Sequence, residues 1–146
     1  MKFSRELIST AWNEISGLWH GHNEEVGTFG SHKLEPNKEM YEQLEKSGVI
    51  HFFTMRHDSM LVGYCSMLMF PHHHYRGTVC ANQDALYVLP EWRGFASVKF
   101  LRFIDSELFK SGADKITRQV TVKKDFSRTL ERMGYEAKEV VYTRSV

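Results

Sequence analysis

The chain has 146 residues, with nineteen basic and eighteen acidic side chains and a net charge of +1; that balance excludes a general electrostatic footprint for nucleic acid or an anionic membrane. Hydrophobic residues make up 42% and aromatics 13%, too apolar for disorder and enough for one domain burying roughly 70% of its unfolded surface. The N-terminal MKFSRELIST has no apolar targeting core, and no stretch approaches the roughly 18 apolar residues of a membrane span. A soluble protein of the cytoplasm is expected.

Residues 4 to 19 predict an amphipathic helix, with Leu7, Ile8, Ala11, Trp12, Ile15, Leu18 and Trp19 at helical spacing. Ser4 reads as its N-cap and Phe3 as a staple onto Ile8. HGHNEEVGTFGSHKLEP then reads as a glycine-punctuated loop, and PNKEMYEQLEKSG as a shorter helix with Pro36 at its start and Gly48 past its end. VIHFFTMR and MLVGYCSMLMF predict a hairpin around HDS, the second run apolar on both faces and therefore central. After the PHHHYRG loop comes a third strand, TVCANQDALYV. Residues 95 to 111 predict the main helix, closed by Gly112. KITRQVTV reads as a strand, DFSRTLERM as a short helix capped by Asp125, and AKEVVYTR as a last strand. The expected architecture is a single α/β domain spanning residues 1–146, an antiparallel meander feeding a β-α-β crossover. Cys65 and Cys80 lie in strands and read as buried thiols rather than a disulfide.

The chemistry concentrates at LPEWRGFASVKFL, residues 89 to 101. A strand ends at Pro90, Arg93-Gly94 turns the chain, and a helix begins. A helix N-terminus offers unpaired N–H groups and the positive end of a dipole to a phosphate. Arg93 adds a permanent charge and a bidentate fork, Gly94 permits close backbone approach, and Ser97 adds a hydroxyl. Ala96 and Val98 stand where a phosphate-wrapping turn would carry further glycines.

DALYVLPEWRG with the helix behind it, KSGADKITRQV and LERMGYEAKEVVYTRSV resemble the GNAT superfamily of N-acetyltransferases over nearly all of the chain. HNEEVG, LEPNKEMYEQLEKSG and MLVGYCSMLMFPHHHY further resemble small GNAT-like proteins of bacteriophages, which would put this one in a host cytoplasm. The resemblance implies a mixed, mostly antiparallel central sheet flanked by helices, with strands splaying into a notch that admits acetyl-CoA as co-substrate. It implies that the pantetheine arm lies along Leu86, Tyr87 and Val88, the Val88 N–H stabilising charge on the thioester oxygen. The pyrophosphate would lie on the amides of Arg93, Gly94, Phe95, Ala96, Ser97 and Val98, where the family's arginine and glycine pattern maps onto Arg93, Ala96 and Val98. Ala96 and Val98 depart from its glycines, and two positions elsewhere depart from the family: Leu130 stands where many members place a proton-donating tyrosine, and Lys123 near the usual asparagine, where it would meet phosphate instead.

Acetylating an amine requires a base, because an ammonium ion has no lone pair, and a proton for the leaving thiolate. Asp84 falls where amine-acetylating relatives place a carboxylate. Glu24 and Glu25 sit where the acceptor pocket is expected, and Glu25 is a candidate for holding the amine. His74 or His72 is a candidate base, and Tyr135 or Tyr142 a candidate acid. Three adjacent histidines cannot easily converge on one ion, so no metal site is expected. The acceptor is an amine of unspecified identity, small molecule or protein, and a homodimer is compatible with the fold. The alternative is a GNAT-fold interaction protein with weak or no catalysis, binding and modulating a host protein, its notch filled by side chains.

Overall fold

The computed structural model describes residues 1–145. Five strands, β1 (Lys2–Glu6), β2 (Ile50–His57), β3 (Met60–Pro71), β4 (Val79–Val88) and β5 (Lys115–Thr117), form one sheet in the order β1-β2-β3-β4-β5. All neighbours are antiparallel except β4 and β5, which run parallel. Helices α1 (Ile8–Val26) and α2 (Lys38–Lys46) cover one face; α3 (Phe95–Lys110) covers the other, and α4 (Ser127–Arg132) follows β5. The expected single α/β domain with a mixed, mostly antiparallel sheet is what forms.

Alternation along the strands sorts residues between two cores. Phe53, Met55, Cys65 and Met67 pack with Phe100, Ile104 and Leu108 of α3. Phe52, Tyr64 and Tyr87 pack with Ile8, Ala11 and Ile15 of α1. The β2–β3 hairpin closes on Asp58-Ser59, both at positive φ (44 and 69), a turn whose twist matches that of the strands. Cys65 and Cys80 are buried free thiols.

Three expectations about elements need correcting. Residues 2–6 are an edge strand, and Ser4 caps nothing. Phe3 packs on the rings of Phe100 and Phe103 at 5.5 and 5.9 Å rather than on Ile8. Helix α1 starts at Ile8 with its cap supplied by α2: the Glu45 carboxylate accepts from the Ile8 N–H and the Ser9 hydroxyl. That satisfies the donors a local Ser or Asp would have taken. At its other end α1 continues seven residues past Trp19, so HGHNEE is helical and not a loop. Gly21 costs helix stability yet is required there, because a Cβ would lie 2.8 Å from the Tyr87 hydroxyl oxygen.

The expected strands at 115–122 and 137–144 shrink to β5 and to irregular chain. Beyond Thr117 the chain leaves the ladder, and the Arg118 side chain is wholly buried. Its guanidinium donates to Asp105 (2.6 Å), Gln83 (3.2 Å) and the Tyr135 hydroxyl (3.0 Å). A strand this short offers no long edge for the final segment to join, and Val140, Val141 and Tyr142 remain exposed.

Candidate active site

The parting of β4 and β5 makes the site. They pair only from Cys80↔Lys115 to Asn82↔Thr117, so residues 83–88 of β4 have an open edge. The Leu89 N–H donates to the Val62 carbonyl across β3. Strand alternation then turns the N–H groups of Leu86 and Val88 the other way, toward the open edge. Tyr87 points to the α1 side. At the apex, Gln83 donates to the Gln119 carbonyl and accepts from Arg118, closing the bottom of the notch.

The turn into α3 lies at the mouth. Gly94 takes φ +94, a conformation that strains any residue with a Cβ. The Arg93 N–H reaches the Pro90 carbonyl and the Val98 N–H the Gly94 carbonyl. Between them, the amides of Gly94, Phe95, Ala96 and Ser97 have no partner among the described residues. The Ser97 hydroxyl is buried and also lacks one. Free amides at the positive end of a 16-residue helix, beside an open strand edge, fit an anionic ligand with an extended amide-bearing arm. Val98, whose N–H is already used, does not belong to that set.

Arg93 is not aimed at an empty space. Its Nε donates to the Val88 carbonyl at 2.8 Å, and its Nη2 lies 2.8 Å from both oxygens of Glu25. The guanidinium also lies 5.7 Å from the centroid of the Tyr87 ring. Two residues read from sequence as phosphate ligand and amine ligand are thus partners of each other, spanning the mouth from the turn before α3 to the end of α1.

Asp84 sits on a bulge. Ser66 pairs with Ala85 and Met67 with Gln83, so Asp84 is the extra residue and its side chain is re-aimed. Oδ2 accepts from the Ser66 hydroxyl at 2.6 Å, leaving Oδ1 unengaged among the described residues. Ser66 in turn lines a cavity of about 200 Å³ between the sheet, α1, α2 and the loop joining the helices.

His22 and Tyr64, assigned no catalytic role from the sequence, meet there. His22 Nδ1 is 2.6 Å from the Tyr64 hydroxyl, and its ring stacks on Tyr87 at 5.1 Å. Burial pushes the His22 pKa down, against the pull of Glu25 and Asp84, so the imidazole is neutral at pH 7. Burial likewise pushes the Tyr64 and Tyr41 phenols up, aided by Asp84. A legible signal existed in HGHNEE: with Gly21 allowing helix, His22 and Glu25 are three residues apart on one face.

The remaining candidates are dispersed. His74 is exposed in the β3–β4 turn, with β4 running five residues from Val79 before reaching Asp84, roughly 17 Å of strand. Lys123 is exposed in a turn closed by the Thr121–Lys124 bridge and makes no ion pair among the described residues. Leu130 is buried. The Tyr135 hydroxyl donates to Asp105 at 2.8 Å and, mainly through burial, its pKa is pushed up to about 12. Among the described residues no three His, Cys, Asp or Glu side chains converge on a metal position, and no helix is long and apolar enough to cross a membrane.

Solved structures match this arrangement over its full length. An aminoglycoside acetyltransferase from an uncultured soil metagenomic sample, in complex with sisomicin, superposes with a TM-score of 0.77 at 14% identity, covering 99% of this chain and 95% of that one. A ribosomal-protein-alanine N-acetyltransferase from Brucella melitensis biovar Abortus 2308 gives 0.73 at 17% identity, covering 100% of both chains. The fold is that of the GNAT acetyltransferases. An aminoglycoside N-acetyltransferase in complex with CoA gives 0.68 at 11% identity, covering 99% of both. No family model and no curated protein matches the sequence, and the finer resemblance to bacteriophage proteins gains no support from these relatives.

Proposed function

We propose that the protein is an acyl-CoA-dependent N-acetyltransferase acting on a primary amine. The observation that carries this reading is the open edge of β4, where the Leu86 and Val88 N–H groups lie beside the unpaired amides of Gly94 to Ser97, with the Asp84 bulge on the same strand. Acetyl-CoA would supply the acyl group as a thioester, whose transfer forms an N–C bond, breaks the C–S bond and returns a proton to sulfur. The β4 edge would hold the amide-bearing arm, the Val88 N–H being available to an oxygen that gains charge. The first turn of α3 would hold the phosphates. Asp84, oriented by Ser66, would bind the incoming ammonium and remove its proton, with neutral His22 as the second proton acceptor nearby. His74 and Lys123 have no part in this reading. Arg93 acts on the site through its grip on Val88 and Glu25.

Calorimetric titration with acetyl-CoA tests it. Micromolar binding is expected, strengthened severalfold in Glu25→Gln, which frees the Arg93 guanidinium for an anion. No saturable heat at millimolar ligand would overturn the reading.

The second reading, an interaction protein on the same fold acting on a host partner, is favoured by one feature. The Arg93–Glu25 pair already occupies the Val88 carbonyl at the mouth. It predicts no acetyl-CoA binding in either form.

A further inference from the structure

The cavity beside Asp84 narrows the acceptor, on the basis that this is the amine side of the proposed transferase. Its walls are mostly aromatic and aliphatic, including Trp19, Leu34, Tyr41 and Phe52. Among the described residues, no lysine, arginine, aspartate or glutamate lines it. The carboxylate that reaches its rim is Asp84, through Ser66. Glu25 is held by Arg93, while Glu35 and Glu39 line a separate depression beyond Pro36.

We propose that the acceptor is a small primary monoamine with an apolar, aryl-alkyl body, its ammonium on Asp84 and its body in the chamber. Aromatic walls present ring faces and edges suited to another ring, and neighbouring π-faces favour a single cation at the rim. A polycation would have to desolvate further ammonium groups against walls that hold no carboxylate to receive them. A phosphorylated amine would meet no lysine or arginine in the chamber, only the neutral imidazole of His22. The volume of about 200 Å³ is below the roughly 300–1,000 Å³ of sites for drug-sized ligands, too small for a multi-ring amino sugar.

Tryptophan fluorescence of the full-length protein, titrated with 2-phenylethylamine in the absence of acetyl-CoA, tests this directly, since Trp19 forms part of the wall. A saturable change is expected, with ethylbenzene binding more weakly. Asp84→Asn should weaken the amine about tenfold, as for one charge-assisted hydrogen bond, and leave ethylbenzene unchanged. Leu34→Trp, on the exposed loop, should fill the chamber and abolish both. The proposal is overturned by an absent saturable response, by an unchanged amine affinity in Asp84→Asn, or by tighter binding of sisomicin or an alanine-initiated peptide. Because the titration omits acetyl-CoA, its failure is separable from failure of the transferase reading, which the calorimetric titration decides.

Discussion

On the α3 side of the sheet, Phe53, Met55, Phe100, Ile104 and Leu108 are fully buried, and the charge inside, Arg118, has Asp105, Gln83 and Tyr135 as partners. On the α1–α2 side, His22 and Tyr64 turn their polar atoms toward each other beside unfilled space, Tyr87 stacks on the His22 ring, and the Asp84 carboxylate adjoins the cavity through Ser66. One face spends its sequence on density and pairs its buried charge; the other keeps volume, neutral imidazole and an unengaged carboxylate oxygen. Chemistry on a shared fold belongs where packing is incomplete and polar groups converge.

The comparison breaks first, and hardest, at Arg118. Removing it in Arg118→Ala leaves the half-buried Asp105 without its cation, which should cost up to about 3–5 kcal/mol in chemical denaturation. A loss under about 1 kcal/mol would mean that the cluster is wetter than its geometry implies.

Gly21 probes the other face. Gly21→Ala drives a methyl group against the Tyr87 hydroxyl and should destabilise by about 1–3 kcal/mol. In a Tyr87→Phe background the clash disappears. The same change should then be neutral or stabilise by up to about 1 kcal/mol, the usual penalty of a mid-helix glycine. Equal costs in both backgrounds would refute the contact.

The smallest effect is on pH dependence. Burial holds His22 and His51 below the ordinary imidazole range, so the unfolded chain takes up their protons at higher pH than the folded one. Stability is therefore complete above that range and falls as pH drops through it toward the lower folded values. Melting temperature should decline from about pH 7 to pH 5, in the region of the unperturbed imidazole value. His22→Gln should flatten part of that decline, and a slope identical to the parent's would show that His22 titrates normally.

Most of the sheet and α2–α3 were legible because apolar periodicity is a local signal: β3 is apolar on both faces and central, and Leu101, Ile104 and Leu108 line the inner face of α3. Phe100 completes that face, while Phe95 and Phe109, at matching spacing, are exposed. The turn at Arg93-Gly94 was legible for the same reason, as a strand, Pro90, Gly94 and a helix are contiguous in the chain. The rest depended on partners far away in sequence. The cap of α1 comes from Glu45, and the burial of Arg118 depends on Asp105, Gln83 and Tyr135.

Composition and periodicity by themselves determined the α/β class, the two cores and the turn at Arg93-Gly94, because each follows from side chains only a few positions apart. Tertiary structure alone decided that Glu25 binds Arg93, that the Asp84 bulge hydrogen-bonds Ser66, and that His22 and Tyr64 meet at one cavity. Those pairs are separated by 68, 18 and 42 residues. Their meeting is fixed by strand register and by a helix that runs past its glycine, and no local pattern encodes either.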